Sequence, residues 1–239
     1  MLSLPTLTAA LARLPLLLPT VCMVCEQACQ QAHSLCPYCE EQLPWLGSHC
    51  RRCGQAFPGE LLRDGCCGGC IGKRFAVDSC HALFSYSSPI RELISALKYR
   101  QRLDIGFGLG QVLAAAMAHE ATDLLLPVPM SGRRFRQRGY NQSWELTRTV
   151  ARQLSIPANN KILAKLRHTP AQSSLASAAA RKQNLRGAFA VTDADALQGL
   201  RCVTLIDDVT TTMATVTGLA RALKRHGVRR VQVWCLARA

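Results

Sequence analysis

Asp207 and Asp208 stand side by side at the end of an apolar run, Val203-Thr-Leu-Ile, and are followed by Val-Thr210-Thr211-Thr212-Met213-Ala214-Thr215. Two carboxylates and four threonines thus fall within nine residues. Ionised carboxylates only accept hydrogen bonds, which suits the vicinal hydroxyls of a sugar. Loop amides and hydroxyls at the start of a helix suit a phosphate. Asp207 and Asp208 are therefore candidate catalytic, sugar-gripping residues. Thr210, Thr211, Thr212, Met213, Ala214 and Thr215 are the candidate phosphate loop, and the turn as a whole reads as a ribose 5-phosphate site. The bland alternative, a strand–turn–helix with an acidic tip, leaves the threonines unexplained.

A second chemistry sits near the N-terminus. Ten of the thirteen cysteines fall between Cys22 and Cys70. Eight form four C-x-x-C pairs: Cys22/Cys25, Cys36/Cys39, Cys50/Cys53 and Cys67/Cys70. Sulfurs at that spacing chelate one ion well and make poor partners for long disulfide loops. Eight thiolates suffice for two closed tetrahedral sites, the coordination of structural zinc. An iron–sulfur cluster is the runner-up. The spacing does not say which pairs share a metal. Cys66 could replace Cys67, Cys29 is a spare, and His33 and His49 read as bystanders. Thiols clustered for metal binding imply a reducing compartment, so the expected location is cytoplasmic.

A third cluster, Arg133-Arg134-Phe-Arg136-Gln-Arg138, follows a buried apolar run and reads as a basic loop. The arginine fork matches phosphate oxygens, and Tyr140 offers a ring for stacking. Lys98 and Arg100 form a weaker candidate anion contact. Residues 1–80 hold six basic and six acidic side chains, so the whole excess of +14 lies in the remainder. That asymmetry fits an anionic partner, phosphate or nucleic acid.

The elements that position these groups follow from periodicity. The chain reads as an apolar leader over 1–20, a double zinc-ribbon-like module over 21–75 and an α/β domain over 80–239. Strands are expected at His81–Tyr86, Leu124–Val128, Ile162–Leu166, Ala188–Val191, Arg201–Ile206 and Val231–Leu236. Helices are expected at Ile90–Lys98, at Gly108–His119, after an Asn141 cap, and at Ala214–His226. Strand–helix alternation implies a parallel sheet flanked by helices. Residues 167–187 form a polar stretch long enough to act as a lid.

The turn resembles the phosphoribosyl-pyrophosphate (PRPP) signature of type I phosphoribosyltransferases: apolar strand, two acidic residues, an aliphatic, then Thr-Thr-Gly-x-Thr. The wider chain resembles the ComF family of competence proteins, which includes GntX-like proteins linked to the use of external DNA. The likeness rests on the paired cysteines, Leu97-Lys98-Tyr99, Pro127-Val-Pro129, Arg138-Gly139-Tyr140-Asn141-Gln142-Ser143, Thr169-Pro-Ala-Gln172, Arg181-Lys-Gln-Asn184 and Leu236-Ala-Arg238. It implies a type I phosphoribosyltransferase-like fold behind a small Cys-rich zinc-ribbon module, and a role in handling imported single-stranded DNA. It places Arg133, Arg134 and Arg138 near the pyrophosphate. It makes Arg181 and Lys182 the lid residues that would reach it, and it implies Mg2+ with PRPP if the site is active. A further reading is a structural adapter that uses the zinc module to dock a DNA-uptake helicase or channel protein. The alternative is a non-catalytic adapter for single-stranded DNA on a vestigial transferase fold. One position departs from the signature, because Met213 replaces its glycine. If that position requires positive φ or close approach of the backbone, ligand binding is weakened; if it is helical, methionine is harmless.

Overall fold

The computed structural model describes residues 20–29, 31, 34–57, 65–73, 75–166 and 188–239. Two compact units divide after Gln42. In the first, a two-stranded antiparallel ribbon, β1 (Thr20–Val21) and β2 (Ala28–Cys29), precedes a short helix, α1 (Pro37–Glu41). Cys36 caps α1 by accepting the Cys39 amide, and Pro37 occupies the first helical position, where a missing N–H does no harm.

In the second unit the apolar runs become a four-stranded parallel sheet in the order β3-β8-β7-β4. The strands are β3 (Ser79–Ser85), β4 (Leu124–Pro127), β7 (Cys202–Thr210) and β8 (Arg230–Arg238). All four residues of β4 are buried, and so is β8 from Val231 to Ala237. That is the pattern of strands covered on both faces. The flanking helices are α2 (Ile90–Tyr99), α3 (Leu103–Met117), α4 (Gly132–Arg138), α5 (Gln142–Leu154) and α6 (Ala214–Arg225). Helices α3 and α5 pack together, α5 also lies on β4 and β7, and α6 lies on β8. A small antiparallel pair, β5 (Leu163–Lys165) and β6 (Phe189–Val191), stands apart from the main sheet and packs on α6 through β6. The expected fold class, a parallel sheet flanked by helices behind a Cys-rich segment, is the one found.

Three details differ from the sequence reading. Helix α3 starts at Leu103, five residues earlier than periodicity suggested. Gly106, Gly108 and Gly110 depress its intrinsic propensity, and burial of Ile105 and Leu109 overrides them. Strand β7 continues past the acidic pair to Thr210, because its backbone stays in register with β8 as far as Arg238. The basic run is a helix, α4, and not a loop. Arginine and glutamine are good helix formers, and Gly139 ends the helix in the left-handed region at φ 83.

Candidate functional site

The cysteines resolve into two groups of four: Cys22, Cys25, Cys36 and Cys39, then Cys50, Cys53, Cys67 and Cys70. Within each group all sulfurs lie within 4.8 Å of one another. Cys25 and Cys36 Sγ are 3.8 Å apart, as are Cys53 and Cys67 Sγ. Sulfurs held about 2.3 Å from zinc at tetrahedral angles stand about 3.8 Å apart, so the donor set and its size fit zinc. The backbone prepares the thiolates. The Cys36 amide donates to Cys22 Sγ at 3.4 Å, and the Cys67 amide donates to Cys50 Sγ at 3.2 Å. Burial raises the pKa of Cys22 and Cys50, but amide bonds from Cys25 and Cys36, and from Cys67 and Cys53, outweigh it and bring each thiol to about 6. The thiol grouped with Cys50, Cys53 and Cys70 is Cys67; Cys66 is a buried neighbour. His49 is engaged with the Gly47 carbonyl at 2.8 Å. His33 lies outside the described residues.

The first site belongs to the smaller unit and the second to the larger. The second is tied to the sheet. The Cys80 amide on β3 donates to the Arg51 carbonyl at 2.8 Å, and Arg238 Nε on β8 donates to the Cys53 carbonyl at 2.9 Å. Gly54, at φ 67, comes so close that a Cβ there would lie 3.0 Å from Cys80 Sγ.

At the carboxyl end of β7 a cleft of about 690 Å3 gathers the acidic pair, residues 210–215, Arg134, Arg138, Lys98 and Lys165. Ligands in open parallel sheets bind at this end of the strands. Helix geometry explains which arginines reach it. Arg134 and Arg138 are four apart on α4 and share the face that lines the cleft, with Gln137 between them. Arg133 and Arg136 are exposed and do not line it. Arg181 and Lys182 lie outside the described residues, as do the motifs at 169–172 and 181–184.

The acidic pair is heavily engaged. Lys98 Nζ, on the last turn of α2, meets Asp208 Oδ2 at 2.8 Å, and Asp208 is only 5% exposed. Ser143 Oγ, on the first turn of α5, donates to Asp207 Oδ1 at 3.2 Å. Asn141 aims that helix: its Oδ1 caps the Ser143 amide, and its Nδ2 donates to the Val128 carbonyl at 3.0 Å. Burial, then the neighbouring Asp208 charge, raises the Asp207 carboxyl to about 7 against the opposing pull of Lys98. Burial pulls the Lys98 ammonium down, but Asp208 more than compensates and leaves its pKa raised. Two buried polar atoms on the cleft wall, Gln142 Oε1 and Thr210 Oγ1, have no hydrogen-bond partner among the described residues. Leaving such atoms unpaired costs about 1–3 kcal/mol each, a deficit that a polar ligand would relieve.

Met213 takes the left-handed conformation, φ 60 and ψ 0, immediately before α6. The glycine of the signature is therefore missing where positive φ is used. The methionine side chain is 8% exposed and belongs to the apolar core. Sequence reasoning missed Ser143 and Lys165 as wall residues, and it took Lys98 for a contact to an external anion, whereas Lys98 meets an internal carboxylate.

Together these features define a zinc-ribbon protein with a parallel α/β domain and a cationic cleft at the strand ends. Residues 13–71 match the double zinc ribbon domain. The DNA utilization protein YhgH of Salmonella typhimurium (strain LT2) is 36% identical over 95% of this chain and 95% of its own. Competence protein F of Haemophilus influenzae is 34% identical over 72% of this chain and 78% of its own. The chain belongs to the family of these proteins, as its resemblance to ComF proteins implied. Among solved structures, the glutamine PRPP amidotransferase from B. subtilis complexed with ADP and GMP aligns with 56% of this chain and 27% of its own, at 20% identity and a TM-score of 0.37. Among the described residues, no helix is long and apolar enough to cross a membrane.

Proposed function

We propose that this chain acts in the uptake or use of external DNA, as the names of its relatives indicate, and that its α/β domain binds a ribose-phosphate ligand such as PRPP or a nucleotide. The cleft carries the reading: it brings two carboxylates, a threonine-rich helix start and two arginines onto one surface at the strand ends. Asp207 and Asp208 would hold sugar hydroxyls, residues 210–215 the 5-phosphate, and Arg134 and Arg138 a further phosphate. Mg2+ would enter on the pyrophosphate of PRPP. The paired thiolates support a cytoplasmic location. Calorimetry with PRPP and Mg2+, repeated with a short single-stranded DNA, tests the assignment. Saturable PRPP binding that Asp208→Asn weakens supports it; absence of binding overturns it. Release of pyrophosphate on adding an acceptor would extend the binding role to catalysis.

The raised Asp207 pKa gives this reading a pH signature. Only the ionised carboxylate is a pure acceptor for hydroxyls, so affinity for ribose 5-phosphate is expected to rise as pH increases through about 7. The ligand's phosphate also ionises near about 6, and Asp207→Asn separates the two: it should remove the step near neutrality and leave the lower one.

The adapter reading, single-stranded DNA on a vestigial transferase fold, is favoured by one observation. Arg133, Phe135 and Arg136 are exposed on α4 and do not contribute to the cleft with the acidic pair, apart from the helix they share. Arg133 and Arg136 are three apart and share one face of α4, a pair of cations that suits two backbone phosphates of a single strand. The Arg133→Ala/Arg136→Ala variant should lower the salt dependence of single-strand binding by about 1.4 in log–log slope, roughly 0.7 per lost phosphate contact. The Arg134→Ala/Arg138→Ala variant should instead reduce PRPP affinity. An unaltered salt slope in the first variant places the DNA contact elsewhere.

A further inference from the structure

We propose that Lys98 takes the place of a divalent cation at the acidic pair, so that the sugar subsite binds its ligand with no metal held by Asp207 or Asp208. The proposal rests on the ribose-phosphate reading and concerns only this end of the cleft. Three of the pair's four carboxylate oxygens are already committed. Asp208 Oδ2 meets Lys98 Nζ at 2.8 Å, and Asp208 Oδ1 accepts the Val209 amide at 2.7 Å. Asp207 Oδ1 accepts both the Ser143 hydroxyl, at 3.2 Å, and the Asp208 amide, at 3.0 Å. A hard dication such as Mg2+ asks for near-octahedral oxygens at about 2.0–2.1 Å. An ammonium in contact with the same carboxylate both occupies that position and repels a second cation.

The ammonium is also held in place by its neighbours in the chain. Leu97, Lys98 and Tyr99 end α2, and each makes a different anchoring contact. The Leu97 carbonyl accepts the Tyr140 hydroxyl. The Tyr99 ring lies under the Arg138 guanidinium, 5.1 Å from ring centre to Cζ. The Lys98 side chain is 18% exposed, so its charge faces the pair and not bulk water. The other charges lining the cleft have the same sign: Arg134 and Arg138 from α4, and Lys165 from β5. Four cations against two carboxylates make the cleft hospitable to a phosphorylated sugar and hostile to a free metal ion. The Leu97-Lys98-Tyr99 motif thereby supplies the counter-charge that lets two adjacent carboxylates stand beside a phosphate loop.

Ribose 5-phosphate is the probe, because it lacks the pyrophosphate that would bring its own metal. The zinc-loaded chain is titrated in resin-treated buffer and again in millimolar Mg2+. Equal affinity in the two buffers is expected for the native chain and for Lys98→Arg. Lys98→Met should lose at least about tenfold without Mg2+ and recover part of it with Mg2+. A ligand-free arm uses Mn2+ as a paramagnetic probe of the amides of residues 207–212. Mg2+-displaceable broadening is expected in Lys98→Met and not in the native chain. Should Lys98→Met not fold, Lys98→Gln, which keeps a hydrogen bond without the charge, carries both arms. A native chain that needs Mg2+ for ribose 5-phosphate, or that shows Mn2+ broadening at the pair, overturns the proposal. If the native chain binds no ribose 5-phosphate in either buffer, the ribose-phosphate reading fails, and the Mn2+ arm still decides the role of Lys98.

Discussion

Replacing Cys50 by Ser is expected to lower the main thermal transition by roughly 10 °C, whereas Cys22→Ser leaves that transition nearly unchanged. Each variant should retain about one zinc where the native chain holds about two. The asymmetry follows from where the sites lie. Cys22 belongs to the small unit that ends at Gln42. Cys50 belongs to a knuckle built into the larger unit, through the Arg51 carbonyl to β3 and the Cys53 carbonyl to Arg238 on β8. Cys53 and Leu46 also pack against the sheet's apolar core. Structural zinc contributes about 10–16 kcal/mol to the folding of isolated knuckles. If a third of that reaches the larger unit, the loss is about 3–5 kcal/mol, and a domain of this size moves by about 2–4 °C per kcal/mol. Calorimetry with elemental analysis reads both quantities. Equal shifts in the two variants, or a metal-free chain with an unshifted main transition, would show that the second site does not brace the sheet.

How far the molecule could be read from its sequence differs by feature, for physical reasons. The buried strands were visible because parallel strands covered on both faces are continuous apolar runs, as in Leu124-Leu-Leu. The acidic pair and its threonines were visible because the whole turn is local. The number of metal sites was visible in the pairing of cysteines, but the partners were not, since spacing alone does not say which loops fold together. Helix α4 was missed because it buries no residue, so it has no apolar stripe to detect. Once the run is helical, the four arginines cannot act as one cluster, because successive side chains turn by about 100°. The Lys98–Asp208 pair joins residues more than a hundred positions apart, and no local pattern announces it. Ser143 appeared in the sequence only as the end of the Arg138–Ser143 motif; only the packing of α5 against β7 gives it Asp207 as a partner.

Met213→Ala is expected to destabilise the larger unit by about 2–5 kcal/mol, and Met213→Gly by about 1–2 kcal/mol less than Met213→Ala. Two effects act at this residue with opposite sign. Its backbone sits at φ 60, where a residue with a Cβ is strained by about 1–2 kcal/mol relative to glycine. Its side chain is buried in the apolar core of the larger unit, and deleting a buried methionine costs about 2–5 kcal/mol. Alanine loses the packing and keeps the strain; glycine loses the packing and releases the strain. Glycine is also acceptable at the residue preceding a helix, so its usual helix penalty is small there. Burial exceeds strain, which accounts for a methionine at a place whose backbone favours glycine: the residue anchors the start of α6 in the core. The consequence for the ligand site is separate. On the proposed ribose-phosphate reading, releasing the turn lets residues 211–213 approach a phosphate more closely, so Met213→Gly should bind PRPP more tightly than Met213→Ala even though both are less stable than the native chain. Urea unfolding of the three proteins gives the stability order, and calorimetry gives the affinity order. If the glycine variant proves the least stable, the positive φ carries no strain. If glycine and alanine bind PRPP alike, the turn does not limit the phosphate site.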